Sequence, residues 1–362
     1  MHNLLENLRR RLLAQRTPEP LPPTSQGLAR PSHDVVRGPC DADIPPDARN
    51  TMMPEGITVE EALAVAELPQ KHALDILATA QAIRSVHKGG PAALCGIVNA
   101  KSGRCPEDCA FCAQSSHHAT GSPVHALLDA ETLLRRAEEL RQSGAERYGI
   151  VTSGTRLTVR ELATLCEAAV RIRRETGIAL CGSLGQLTPD AAACLKEAGF
   201  SSYHHNLETS RSFFPAICST HAYDDDIATV RAARAAGLRT CSGGIFGMGE
   251  TDAQRIELSA TLRELDVDSI PVNLLSPIPG TPLQHRPTMP PMRALVSIAI
   301  YRLMHPARDI LVCGGREATL GPWQSWIFLA GANGMMVGNY LTTTGRDMAD
   351  DLAMLATLGV RA

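Results

Sequence analysis

From residue 57 to the C-terminus, short apolar runs rich in β-formers alternate with amphipathic stretches of helical period. The runs at 94–99, 147–152, 178–183, 201–206, 238–243, 269–274, 309–313 and 333–337 read as strands. Helical stretches separate them, near 130–144, 158–175, 188–198, 223–236, 252–266 and 288–303, with others near 320–331 and 346–358. An earlier helix, near 58–87, precedes the first strand. Eight strand–helix repeats with short connections predict an α/β fold, a (β/α)8 TIM-type barrel. The alternative is an open doubly wound sheet, but no dinucleotide fingerprint follows any strand. Gly243-Gly244-Ile245-Phe246-Gly247-Met248-Gly249 is glycine-rich without that fingerprint's order or the Lys-Ser/Thr of a phosphate loop. It predicts a strand end whose backbone approaches a ligand closely.

Residues 1–55 break the pattern. Leu4, Leu5, Leu8, Leu12 and Leu13 share one helical face, with Arg9, Arg10, Arg11 and Arg16 nearby, and nine of the 24 prolines lie between Pro18 and Pro54. A poorly ordered, Pro-rich N-terminal extension over 1–55 is expected, then one barrel domain over 56–362 with a helical lead-in. An Arg-rich amphipathic start also suits a mitochondrial presequence, against which stand Glu6 and the scarcity of serine.

Hydrophobic content of 44% supports a large core. A net charge of −3 and 4% aromatics leave no footprint for nucleic acid or an anionic membrane. No apolar run approaches the roughly 20 residues needed to span a bilayer. Eleven cysteines without a signal-peptide pattern fit a reducing, cytoplasmic setting in which thiols serve metals.

Cys105-Pro-Glu-Asp-Cys109-Ala-Phe-Cys112, followed by Ala-Gln-Ser, carries the chemistry. Structural cysteine sites usually come in fours; three thiols on one loop can hold three irons of a [4Fe-4S] cubane and leave the fourth open. The spacing is that of radical S-adenosylmethionine (SAM) enzymes, in which SAM binds the open iron and its cleavage yields a 5′-deoxyadenosyl radical. A zinc site completed by His117 or His118 is the alternative. Reactive groups of such a barrel belong at the C-terminal ends of its strands. The unusual residues fall there: the Cys loop, Thr152-Ser153-Gly154, Gly182-Ser183, His205-Asn206-Leu207-Glu208, Asn273, Gly314-Gly315-Arg316-Glu317 and Thr342-Thr343-Thr344.

The cysteine loop, Tyr203-His-His-Asn206-Leu-Glu208-Thr-Ser210 and Cys241-Ser-Gly-Gly-Ile-Phe-Gly-Met-Gly-Glu-Thr251 together resemble the biotin synthase family. Pro271-Val-Asn273, Gly280-Thr-Pro-Leu283, Gly315-Arg-Glu317 and Gly331-Ala-Asn333 extend the match from about residue 57 to the C-terminus. The resemblance implies sulfur insertion between two unactivated carbons of dethiobiotin, with flavodoxin or ferredoxin as electron donor and a homodimer. Such C–H bonds offer nothing to an acid or base, so no side chain is expected to be the catalyst. It implies SAM contacts at Phe111, Glu208 and Ile245. It implies dethiobiotin contacts at Asn206, Asn273, Thr343 and Thr344. The sulfur would come from an auxiliary iron–sulfur cluster.

Here the chain departs from the family pattern, which takes three Cys on strands two, three and five and an Arg on strand seven. Cys181 and Cys241 match two positions, but Gly149 and Leu311 occupy the others. Cys313 lies two residues beyond Leu311, so it shares that facing and sits about 6–7 Å nearer the mouth. Cys181, Cys241 and Cys313 form an expected inward triad, suited to a 4Fe cluster with one open iron rather than a [2Fe-2S] cluster. Buried core thiols are the alternative. Cys40, Cys95, Cys166, Cys194 and Cys218 are expected to pack or serve no site. Asp226 stands where related sequences carry an Arg near the SAM carboxylate, and of His204 and His205 at most one is expected to face inward. Another radical SAM barrel enzyme, such as a hydrogenase maturase or carbon-skeleton mutase, remains the second reading, and an iron–sulfur carrier the third.

Overall fold

The computed structural model describes residues 2–15, 54–338, 341 and 345–361. Its parallel strands are β1 (Ala93–Lys101), β2 (Arg147–Thr152), β3 (Ala179–Ser183), β4 (Phe200–His204), β5 (Arg239–Cys241), β6 (Gly244–Phe246), β7 (Ser269–Leu274), β8 (Asp309–Val312) and β9 (Gly334–Met336). They pair in the order β5-β4-β3-β2-β1-β9-β8-β7-β6, and β5 also meets β7. The sheet therefore closes into an eight-position barrel whose fifth position is filled first by β5 and then by β6.

The break at that position comes from Gly243 and Gly244. A Cβ on Gly243 would lie 1.9 Å from the Pro271 carbonyl oxygen, and one on Gly244 2.5 Å from that of Glu208. These glycines let neighbouring backbones of the barrel touch, at β7 and the end of β4.

The lead-in is two helices rather than one. After α1 (His2–Ala14), α2 (Val59–Ala66) and α3 (Ala73–His87) flank Pro69, which cannot continue a helix and turns Leu68 away from helical geometry. Between strands lie α4 (Ala130–Gln142), α5 (Val159–Thr176), α6 (Pro189–Glu197), α7 (Tyr223–Ala235), α8 (Asp252–Glu264) and α9 (Pro291–Met304). The stretch near 320–331 is a short α10 (Arg316–Leu320) and a 3-10 segment from Gly321 to Ile327, and α11 (Met348–Thr357) ends the chain. Capping boxes fix where helices begin: Thr158 with Glu161 at α5, and Thr251 with Gln254 at α8. The residues just before each cap are thereby held at the barrel mouth.

α1 lies within the stretch expected as an extension, yet its Leu5, Leu8 and Leu12 join the same buried core as α2, α3 and α9. Arg11 clasps Glu61 of α2 through two bonds of 2.7 and 2.6 Å. Residues 16–53, with most of the Pro-rich segment and Cys40, lie outside the described residues. Leu12 is fully buried, so Leu12→Ala is expected to cost about 2–4 kcal/mol by urea unfolding. Arg11→Ala, which breaks a partly exposed pair, should cost under about 1 kcal/mol. Equal small losses would mean that α1 is not part of the core.

Candidate active site

The pairing register sorts inward residues into layers. Cys95 faces Arg147, which faces Ala179, and two residues on is Cys181. Cys181 faces Ser202, which faces Arg239, and two residues on is Cys241. Cys241 faces Ser269, which faces Asp309, and two residues on is Leu311. Leu311 faces Gly334, which faces Ala93, and two residues on the walk returns to Cys95. A climb of two residues for every two strands is that of a barrel of shear eight, whose layers draw four side chains from alternate strands. Cys95, Cys181, Cys241 and Leu311 are one such layer, and Cys313 lies one step above Leu311.

All five, with Gly149, line an interior cavity of about 330 Å³. The structure thus brings the expected triad together, and it adds Cys95, for which no site was expected. Gly149 and Leu311 contribute neither thiol nor guanidinium. Burial pushes the Cys95 thiol up to about 12 and raises those of Cys181, Cys241 and Cys313 as well. Arg147 opposes that rise at Cys95 and Cys181. Thiols so placed hold their protons until a metal displaces them.

The second thiol group sits on the loop after β1. Gly103 and Arg104, at φ 76° and 52°, turn the chain out of the strand. Gln114 closes the loop: its Oε1 accepts from Ser102 Oγ (3.0 Å) and Gly103 N–H (3.2 Å), and its carbonyl accepts from Cys105 N–H (3.0 Å). Asp108 accepts from Ser219 N–H at 2.9 Å, and Glu107 holds the His221 ring at 2.8 Å. The loop's shape therefore rests on polar contacts outside its cysteines. His117 and His118 turn Nε2 to the carbonyls of Pro106 and Cys109, at 2.9 and 3.0 Å. Neither gathers with the loop thiols as a mononuclear ligand set. No three of the seven sulfurs in the two groups approach within 4.8 Å of one another. One zinc, with bonds of about 2.3 Å, would draw its sulfurs within about 4 Å. Both sets suit a multi-iron cluster better.

A smaller compartment of about 180 Å³ adjoins the loop and shares Phe111, Ser183, His204, Asn206 and Glu208 with the larger cavity. Glu208 adopts a left-handed φ of 61° just past β4, where its carbonyl accepts from Ile245 N–H at 2.8 Å. Burial, with help from Asp226, pushes its carboxyl up to about 8. Asp226 itself is buried between His205 (2.8 Å) and His221 (3.3 Å). Hydrogen bonds that the His221 ring donates to Asp226 and makes with Cys218 raise its pKa to about 11. Where related sequences carry an arginine, the pocket holds a carboxylate flanked by two imidazoles. β4 ends at His204, so strand alternation no longer separates it from His205; both border the smaller compartment, against expectation. Cys218 also stands here, 3.9 Å from Cys109 and 3.3 Å from His221 Nδ1. Its only sequence signal is the Cys-Ser-Thr-His spacing. Cys166 and Cys194 meet at 3.1 Å between α5 and α6, away from both compartments.

The expected substrate amides flank the break in strand five. Asn206 Oδ1 accepts from Gly243 N–H (3.1 Å), and Asn273 Oδ1 accepts from Gly314 N–H (2.9 Å). Both line the larger cavity, as does Ile245. Thr343 and Thr344 lie outside the described residues. Their neighbour Leu341 reaches the cavity, where its carbonyl accepts from Asn99 Nδ2 at 3.0 Å. Other residues of the sequence motifs are structural. Glu250 accepts from Gly247 and Gly249 N–H (2.8 and 3.0 Å) and so folds the glycine-rich turn. Asn333 Oδ1 holds Arg302 and Ile310 N–H, both at 2.8 Å. Arg316 pairs with buried Asp351 at 2.7 Å.

Two family profiles match the chain: the radical SAM superfamily over residues 100–262 and the Biotin and Thiamin Synthesis associated domain over residues 271–361. The chain is 99% identical to the biotin synthase of Nitratidesulfovibrio vulgaris strain DP4 over the whole of both. It is 60% identical to that of strain Miyazaki F over 99% of this chain and 97% of the relative. Among solved structures, methylornithine synthase superposes with a TM-score of 0.75 at 17% identity, covering 84% of this chain and 94% of the other. The hydrogenase maturase HydG gives 0.73 at 16% identity, covering 84% and 71%. At such identities the two structures speak for the fold alone.

Proposed function

The chain belongs to the biotin synthase family, and on that footing we propose how its residues share the insertion of sulfur into dethiobiotin. Cys105, Cys109 and Cys112 hold a [4Fe-4S] cluster, and Cys181, Cys241 and Cys313 contribute to the auxiliary cluster in the barrel. With SAM, the first cluster supplies the radical that removes hydrogen from carbon. The supporting observation is the pair of adjoining compartments: Cys109 of the loop borders the smaller, Cys112 and the interior thiols line the larger, and Phe111, Asn206 and Glu208 border both. A substrate lying at that junction has SAM on one side and the auxiliary cluster on the other.

Glu208 holds the SAM ribose, since a carboxylate accepts from both hydroxyls of a diol. Phe111 and Ile245, in one small apolar cluster with Met248 and Leu275, pack against the adenosine. His221 supplies positive charge on the side where arginine is absent. Asn206 and Asn273 keep their oxygens on backbone N–H groups and turn amide N–H toward the urea carbonyl of dethiobiotin. Thr343 and Thr344 receive its carboxylate. The electron donor is a flavodoxin or ferredoxin, the enzyme a cytoplasmic homodimer; no described helix is long and apolar enough to cross a membrane.

Anaerobic incubation with dethiobiotin, SAM and reduced flavodoxin, scored by mass for biotin, tests the reading. Measured above pH 8, where the Glu208 carboxyl is ionised, Glu208→Ala is expected to weaken SAM binding by about 1.5–3 kcal/mol, the worth of hydrogen bonds to a charged group. Asn273→Ala should weaken dethiobiotin by nearer 1 kcal/mol. Calorimetric titrations in which Asn273→Ala affects SAM alone would reverse the two compartments.

A further inference from the structure

The auxiliary site has a fourth thiol. Resting on the reading that the interior cysteines hold an iron–sulfur cluster, we propose that Cys95 is its fourth ligand. The cluster is then closed, with one thiolate for each of four irons and no open iron.

Placement carries the proposal. Cys95 shares a barrel layer with Cys181 and Cys241, as the register walk shows. Met336 pairs directly with Cys95 and lies one residue past the Met335–Val312 pair, which puts Cys313 and Cys95 in one hydrogen-bonding row across β9, with Cys313 a layer higher along the tilted barrel. The four thiols thus occupy alternate positions of the eight-strand barrel, one on each quarter of its wall. Without Cys95 the β1 side of the cavity would be bare of ligands. Three sulfurs in one layer and the fourth a step of about 6–7 Å along the axis make a lopsided tetrahedron, not a square. Four iron corners need a tetrahedral set.

The surroundings agree. All four line the same cavity, and none is tied up in a disulfide. Arg147 faces Cys95 across the β1–β2 pair. A buried cation beside a set of thiolates offsets part of their charge. The positions that hold a thiol and an arginine in related chains, Gly149 and Leu311, are left as spacers around the group.

The test uses the full chain with Cys105, Cys109 and Cys112 all changed to Ala, so that only interior iron is counted. After anaerobic reconstitution with iron and sulfide, this variant should carry one four-iron cluster that survives mild oxidation by ferricyanide. Adding Cys95→Ala should leave one iron without a thiolate. Mild oxidation should then remove a quarter of the iron and produce the electron paramagnetic resonance signal of a three-iron cluster. Cys166→Ser in the same background should behave as its parent, and Cys95→Ser guards against misfolding of the alanine variant. If Cys95→Ala keeps its iron and spectrum through oxidation, or if the parent already loses a quarter of its iron, Cys95 is not a ligand. A parent that binds no interior iron would instead overturn the auxiliary cluster itself.

Discussion

Alanine at Cys105, Cys109 or Cys112 is expected to bring 5′-deoxyadenosine formation down to the uncatalysed background, a loss on the order of 10³-fold or more and hence at least about 4 kcal/mol in barrier. On the proposed assignment each of the three sulfurs has its own iron to hold, so no two can stand in for the third. The barrel should stay folded through the change. Gln114, Asp108 and Glu107 shape the loop through hydrogen bonds that involve no cysteine side chain, and the cores beneath it are built from strand and helix residues. Thermal unfolding of the cluster-free variants should therefore match that of the cluster-free parent. An anaerobically reconstituted Cys109→Ala enzyme that cleaves SAM at the parental rate would remove the loop from the chemistry. Cys218, 3.9 Å from Cys109, is the one neighbouring thiol that could rescue it, so Cys109→Ala with Cys218→Ser is the stricter variant.

The two thiol groups differ in how far local pattern reveals them. The loop is legible because its three cysteines lie within eight residues, and a spacing is a property of sequence. Strand parity is equally local, which is why Cys313 could be placed on the facing of Leu311 from residue counting alone. The layer is another matter. Whether Cys95 shares a level with Cys181 and Cys241 depends on how each strand is staggered against the next, and that stagger is set by closure of the whole barrel. Nothing within residues 94–99 encodes it. The pairing of Asp226 with His205 and His221 was hidden for the same reason: it joins the end of β4 to α7 and the loop before it. The glycine pair at 243–244 was legible as a close approach but not as to what, since Pro271 and Glu208 reach it only through tertiary pairing. Pro69 carried a clear signal that the single helix expected near 58–87 did not use.

Serine at Cys313 should separate the two halves of the reaction. SAM cleavage should continue, because Cys313 follows β8 in the barrel wall and is not part of the loop proposed to hold the first cluster. Biotin formation should cease, and mild oxidation should strip one iron from the auxiliary cluster, as it should when Cys95 is lost. Cys181→Ser and Cys241→Ser should give the same phenotype, since ligands of one cluster act as a unit and their losses do not add. Deoxyadenosine made without biotin is the diagnostic product, and mass spectrometry of one reaction measures both. Leu311→Arg added to Cys313→Ser should not restore activity. Residue 311 lies in the layer of Cys181 and Cys241, a step below Cys313, and Gly149 still supplies no thiolate to complete the arrangement that uses an arginine there. A Cys313→Ser enzyme with full iron content and normal biotin yield would detach sulfur insertion from the interior thiols. The chain would then need another sulfur donor within reach of the substrate cavity, and with Cys105, Cys109 and Cys112 committed to SAM, the sulfide would have to arrive from outside the barrel.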